Sequence, residues 1–562
     1  MDSSTPSSTP SNTPSSSSSP KDSSATGHPQ HPATVTRPQS NSRRVLPSAT
    51  EPMARGFIDF IGGPPGHHAL IGRQRWWTPL RVLLAVGAVF LSLGWLQKGQ
   101  CIRTGHSDNG VFADWSGYRQ YTSACYSDTV TLFSSRGLDQ LHFPYLYSWV
   151  DDSGVTRYME YPVLSGIYQW LVAVIARPVH SAWDLLGLPQ VPAVSVYFAV
   201  NAFFLAAAWL AAVGLVAKLA GNRVWDTLLM AASPLVIVHA FTNFDLLACL
   251  AAVAVLSLWA NRRPGWAGVA GGIGVALKLW PAFVVGGIIL LCLRARAWSP
   301  LARLVAGTVI TWLAVNVPIL ILSPNGWAEF FRLNSSRGWE GSTIYAVIAH
   351  ITGNDAWSGI TPSRAVEGAG TLNLISTIAL LICLGALAWF VIFSCSTPPR
   401  LAQVAFLATF AFMLTNKVWS PQYSIWLVPL LALALPKWRL VFGWAALEAV
   451  YWYVRMWQFL PAGQAAPNWL ADTLTVARLG LLVIMSVLII RQAKGVDPDS
   501  VRQAHGGIDP LAGVLLAYPS QSWASRRAGA HGGVEKKGLN KQPQGTGRAG
   551  AQISMGRNYG GK

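Results

Sequence analysis

The sequence predicts an all-α, polytopic membrane protein, a bundle of about 11–13 transmembrane helices with large extracytoplasmic loops, and three observations underlie its membrane character. Only 12% of the 562 residues are charged against 51% hydrophobic, where a soluble domain carries about 25% charged. Between Leu80 and Ile490 lie about a dozen apolar runs of roughly 13 to 25 residues, most free of acidic residues, and one bilayer crossing takes about 20. The 42 Lys and Arg exceed the 24 Asp and Glu, and much of the excess sits in short loops such as Arg262-Arg263, Arg294-Arg296-Arg303 and Lys437-Arg439. The positive-inside bias accounts for that placement, so no nucleic-acid partner is expected.

In chain order, residues 1–72 are expected to form a cytoplasmic tail. Their Ser, Thr and Pro content and lack of apolar period predict disorder over most of it, and no secretory signal opens the chain. The first apolar run, Leu80 to Leu96, follows Arg73, Arg75 and Arg81, which sets a cytoplasmic N-terminus. Further crossings are expected near 161–177, 194–217, 225–241, 244–260, 265–293, 303–321, 372–395, 401–415, 422–436, 440–457 and 473–491. The run 265–293, interrupted by Lys278 and Pro281, reads as one kinked helix or two short ones. Arg294, Arg296, Arg303, Arg400, Lys437, Arg439, Arg491 and Lys494 belong inside, which puts loops 322–371, 416–421 and 458–472 outside. Placing Lys218, Arg223, Arg262 and Arg263 inside as well makes 161–177 re-entrant and 265–293 two helices; the opposite choice makes each a single span. Residues 492–562, with ten basic and four acidic residues, complete the chain as a second disordered cytoplasmic tail, leaving 73–491 as the membrane domain.

Two loops are too long for simple connections. Residues 98–160 interleave His106, Asp108, Asp114, Asp128, Asp139, His142, Asp151, Asp152 and Glu160 with seven Tyr and Trp residues between Tyr118 and Tyr158. Carboxylates accept sugar hydroxyls and rings stack on sugar faces, although such residues also occur simply as exterior solvation and interfacial aromatics. Residues 322–371 contribute Arg337 and Glu340. Cys101 and Cys125 share the first loop and can bridge if it faces an oxidising compartment; Cys249, Cys292, Cys383 and Cys395 lie in apolar runs.

Polar residues inside apolar runs are costly and point to function or to interhelical pairing. Asn243-Phe244-Asp245 interrupts the stretch from Leu228 to Ala260, Lys278 lies within GVALKLWP, Glu160-Tyr161-Pro162 opens the second run, and Asn416-Lys417 precedes Ser420-Pro421-Gln422-Tyr423. No dinucleotide, P-loop or HExxH motif occurs, and no metal site or cofactor is expected.

The run from Asp128 through Gly137 and Pro144-Tyr145 to Tyr161-Pro162 resembles the first-loop signature of glycosyltransferase family 87. Asn416 to Tyr423, followed by Trp426 and Pro429, resembles its late signature. The resemblance spans about residues 75–491, with Val163 where the family has a second proline. It implies an integral-membrane GT-C enzyme that uses a polyprenyl-phosphate sugar, mannose before arabinose, on the outer side of the plasma membrane and adds it to an envelope lipid or glycan. The Trp-, Gly- and Ala-rich composition is similar to that of actinobacterial proteins. On this resemblance Asp128, or Asp114 as the fallback, is the catalytic base. Lys417 is the main phosphate ligand, with Lys278 and Arg337 as further cations. Gln422 and Tyr423 line the groove or touch the sugar, while Glu160, Tyr161, Asn243, Asp245 and Glu340 complete the substrate-binding set. A transporter or lipid flippase is the rival, suggested by a dozen helices with intramembrane Asp and Lys; a noncatalytic scaffold leaves those charges unexplained.

Overall fold

The computed structural model describes residues 44–61, 76–108, 110–353 and 370–518. Helices dominate it. Five are long and apolar enough to cross a bilayer: Pro79–Ile102, Ala193–Leu219, Trp298–Leu322, Gly370–Ser394 and Asn468–Ala493. Shorter apolar helices, Asp245–Ala260, Pro264–Leu277, Pro281–Ala295 and Leu401–Thr415 among them, pack between them. The protein is thus an all-α, multi-pass membrane protein.

Of the two forms open to the run 265–293 the structure has the second, and the expected single crossing at 225–241 is broken; each break has a local cause. The run 265–293 is two helices: Lys278 takes an extended conformation (φ −157°, ψ 150°) and Pro281 begins the next helix. The run 225–241 divides into a 3-10 turn and the short helices Leu228–Ala231 and Pro234–His239, because Ser233-Pro234 interrupts the hydrogen-bond ladder. The segment near 161 extends further than expected, as Val163–Leu185. Pro264–Leu277 meets Trp298–Leu322 through glycines; a Cβ on Gly268 would lie 2.2 Å from the Leu304 carbonyl oxygen, so the two backbones touch as in small-residue membrane contacts.

The tail boundaries also differ from expectation. Residues 44–61 include the helix Pro52–Ile61, joined to the body by Val45 N–H donating to the Asn222 carbonyl. At the other end, residues 494–518 fold back onto the helices. Arg400 donates to Asp499 at 2.7 Å and to the carbonyls of Leu433 and Ala434; a guanidinium buried this deeply requires such partners, so the order extends past 492. The rest of the expected disordered tails, residues 1–43, 62–72 and 519–562, lies outside the described residues, as do residues 73–75 at the start of the expected membrane domain.

The loop 98–160 is a folded cap. Cys101 and Cys125 are bridged, and two small antiparallel hairpins pair Thr104–Ser107 with Gly110–Ala113 and Trp149–Val150 with Thr156–Arg157. Its centre is Tyr145, buried, with its hydroxyl within 2.8–3.1 Å of the carbonyls of Tyr161, Pro162 and Val163. Glycine is required where this ring meets Val163–Leu185: a Cβ on Gly166 would sit 2.2 Å from the Tyr145 oxygen. Gly166→Ala is therefore expected to destabilise the protein by about 1–3 kcal/mol through overpacking, read as a lowered thermal midpoint in detergent, whereas Gly286→Ala, whose added methyl meets nothing within 4 Å, leaves the midpoint unchanged or raised.

Candidate active site

Three chain breaks converge beneath the cap. The helix Asp128–Ser135 starts at Ser127, whose hydroxyl caps Thr129 N–H and donates to the Phe241 carbonyl at 2.7 Å. Asp128 N–H donates to the Thr242 carbonyl at 2.8 Å. These bonds fasten the loop to the break at 240–244, directly before the helix Asp245–Ala260. The second break is Lys278–Trp280, and the third is the 3-10 turn Pro421–Trp426, where Pro421 follows extended Ser420.

They enclose a cavity of about 900 Å³, lined by Asp128, Glu160, Tyr161, Asn243, Lys278, Arg337, Glu340, Gln422 and Tyr423, together with Arg136, Tyr126, Trp426, Phe330, Phe331, Arg455 and others. On the Asp128 carboxylate, Oδ2 accepts from Asn243 Nδ2 at 2.5 Å and from the Tyr161 hydroxyl at 3.3 Å, and Asn243 also reaches the Tyr161 oxygen at 3.0 Å. Burial pushes Asp128 above the usual aspartate range, opposed by hydrogen bonds from Tyr126 and Asn243 and by the Lys278 charge. Asp114 is the opposite case: Ser116 and Arg119 hold it down to about 2, its carboxylate is paired with Arg119 at 2.6 Å, and it does not line the cavity. A base needs a carboxylate that welcomes a proton. Asp128 has that property and Asp114 lacks it.

Behind the wall, Lys278 Nζ bonds Asp245 Oδ1 at 2.7 Å, and Trp426 Nε1 donates to the same oxygen at 2.8 Å. Lys278 also lies 4.9 Å from the Tyr423 ring centroid, which stacks on Trp426 at 4.1 Å. Asp245 is buried and faces this pair rather than the cavity. Glu160 accepts a two-pronged bond from Arg136 at 2.7 and 2.9 Å, and the Arg136 guanidinium lies over Trp149. Glu340, raised by burial, accepts from the Ser420 hydroxyl at 3.1 Å. Lys417 does not reach the cavity. Its ammonium donates to the carbonyls of Ser335 and Arg337, and burial first, then the Arg337 charge, brings it down to about 8; it fixes the backbone that carries Arg337.

The structure thus gathers eight of the ten expected substrate-binding residues around Asp128 at the cavity wall, with Asp245 one layer behind and Lys417 bracing the rim. Sequence reasoning missed Arg136 and Arg455. Arg455 had a readable signal, an arginine in the last turn of the apolar helix Trp438–Trp457; Arg136, just after a short loop helix, had none.

Residues 161–416, a little under half of the chain, match the model of glycosyltransferase family 87. The matched span holds Tyr161, Asn243, Asp245, Lys278, Arg337 and Glu340, while Asp128 and the 417–426 segment flank it. No curated protein matches the chain. Among solved structures, ArnT from Cupriavidus metallidurans bound to undecaprenyl phosphate aligns over 78% of this chain and 77% of its own, at 18% identity and a TM-score of 0.36.

The ion pair generates a test. Asp245 is 1% exposed, so Lys278→Met strands a buried carboxylate and is expected to cost about 3–5 kcal/mol, whereas Asp245→Asn with Lys278→Met together recovers most of it. Thermal unfolding of the wild type and these two variants in one detergent measures this.

Proposed function

We propose that the protein transfers a single sugar, mannose in preference to arabinose, from a polyprenyl-phosphate donor to a cell-envelope lipid or glycan, with inversion, on the extracytoplasmic side. One observation carries the reading: a raised carboxylate, Asp128, shares a cavity with the cations Lys278 and Arg337. Asp128 takes the acceptor hydroxyl proton while that oxygen attacks the anomeric carbon. The carbon–phosphate-oxygen bond breaks, and polyprenyl phosphate leaves with the electron pair. Lys278 and Arg337 stabilise the departing phosphate. A β-linked mannosyl donor then yields an α-mannoside.

Asn243 and Tyr161 hold the base in place, and Gln422 and Tyr423 present a hydrogen-bonding group and a ring to the sugar. The apolar wall, Leu279, Phe330, Phe331 and Phe412, suits an isoprenoid. The Cys101–Cys125 bridge favours an oxidising, hence outer, location for the cap, consistent with both termini lying in the cytoplasm of an actinobacterial plasma membrane.

Asp128→Asn is expected to retain donor binding and lose turnover by at least about a hundredfold. Because the base acts deprotonated and its pKa is raised, wild-type activity is expected to fall as pH drops through a value above the ordinary aspartate range, with Asp114→Asn leaving that acid limb in place. A pH–rate profile of the purified protein decides both points. Radiolabelled polyprenyl-phosphate mannose and the arabinose donor, each incubated with envelope lipid extract, decide the sugar: label is expected in product from the mannose donor alone. Movement of substrate across sealed vesicles without transfer to any product would instead support a transporter.

Arg337→Gln is expected to weaken donor binding about tenfold, as a lost charge-assisted contact does. Lys417→Gln should weaken it less, because Lys417 acts through the Arg337 backbone. Titration of a non-transferable donor analogue measures the two.

A further inference from the structure

Beside the main cavity lies a second chamber of about 490 Å³ whose chemistry is different. Both are lined by Arg337, Glu340, Arg455 and Phe459, which form a common neck. Beyond the neck the wall consists of Trp339, His350, Gln458, Asn468 and the backbone at Gly338 and Gly341, and among the described residues no aliphatic side chain contributes. That wall cannot shelter an isoprenoid, yet its volume is that of a small-molecule site.

Its polar groups are fixed in advance. Arg455 Nη1 donates to Gln458 Oε1 at 2.9 Å, and Gln458 Nε2 donates to Asn468 Oδ1 at 3.1 Å, a ladder from the end of the helix Trp438–Trp457 to the start of Asn468–Ala493. His350 is held by Asp472 at 3.0 Å and meets the Trp339 ring edge-on at 5.6 Å. Planar amide and guanidinium groups suit the paired hydroxyls of a saccharide, and preorganisation lowers the cost of engaging them.

We propose that this side chamber is the acceptor subsite and that the acceptor is a saccharide, whose sugar head enters here and extends one hydroxyl through the Arg337–Glu340–Arg455 neck toward Asp128. The proposal rests on the glycosyltransferase reading and deepens it: the donor fills the apolar cavity and the glycan fills the polar one. A lipid alcohol without sugar has nothing to bind in the chamber.

The test uses the full-length protein in detergent, polyprenyl-phosphate mannose as donor, and two acceptor probes with the same alkyl chain, octyl α-mannobioside and octanol. Transfer to the mannobioside and not to octanol is expected. Gln458→Ala and Asn468→Ala, neither of which lines the donor cavity, are expected to raise KM for the mannobioside about fivefold each while leaving donor affinity and slow hydrolysis of the donor by water unchanged. Equal transfer to octanol, no transfer to the mannobioside while hydrolysis persists, or an unchanged KM in both variants each overturns the acceptor subsite and leaves the glycosyltransferase reading intact. Neither binding nor hydrolysis of the donor by the wild type overturns the reading on which the subsite depends.

Discussion

The site hangs on one buried ion pair. In a helix bundle made for lipid, a carboxylate and an ammonium cannot be placed singly, because each costs too much without the other. Asp245 and Lys278 come from two helix breaks and meet at 2.7 Å, and Trp426 from a third completes the same carboxylate. Once those breaks are pinned, their neighbours have little freedom. Asn243 stands two residues before Asp245 and donates to Asp128; Tyr423 stands three residues before Trp426 and lies against Lys278. A structural pair thereby sets the position of a cavity carboxylate, Asp128, that belongs to neither of its helices.

The cap meets that framework through backbone bonds more than through side-chain packing. Ser127 and Asp128 bond to the carbonyls of Phe241 and Thr242, and Tyr145 to those around Pro162. The loop 322–353 approaches from the other flank, where Glu340 N–H donates to the Lys417 carbonyl and the Lys417 ammonium returns to the Ser335 and Arg337 carbonyls. This reciprocal clasp explains why an intramembrane-looking lysine next to a Ser-Pro break is not itself at the cavity surface: its charge is engaged in holding a more distant arginine there.

Much of this was legible in the sequence. Apolar runs longer than a soluble core needs disclosed the membrane body, and the polar interruptions at 243–245, 278 and 416–423 marked segments that line or brace one cavity, because burial makes such residues expensive wherever they stand. Distance and direction were not legible. Nothing in the spacing distinguishes Asp114, bonded to Arg119 in its own loop, from Asp128, which faces Lys278; the difference arises only when the loop folds over the 240–244 break. Helix continuity was equally hidden at 225–241, where an apolar run long enough to span is divided at Ser233-Pro234. Composition also misled at the tail boundary: Gly-rich residues beyond 492 look free, but Asp499 is the carboxylate that a buried Arg400 demands.

That last contact joins the two ends of the bundle mechanically. Arg400 holds the final carbonyls of the helix Leu427–Ala434, and the other end of this helix continues from the Pro421–Trp426 turn at the cavity wall. A premature stop after residue 493 would take away Asp499, leave a guanidinium buried without its counter-charge, and loosen the far terminus of the one rod that presents Tyr423 and Trp426. Such an allele would be inherited as a loss of function although every residue of the cavity is still encoded, and a reporter fused to a chain shortened there would report insertion without function.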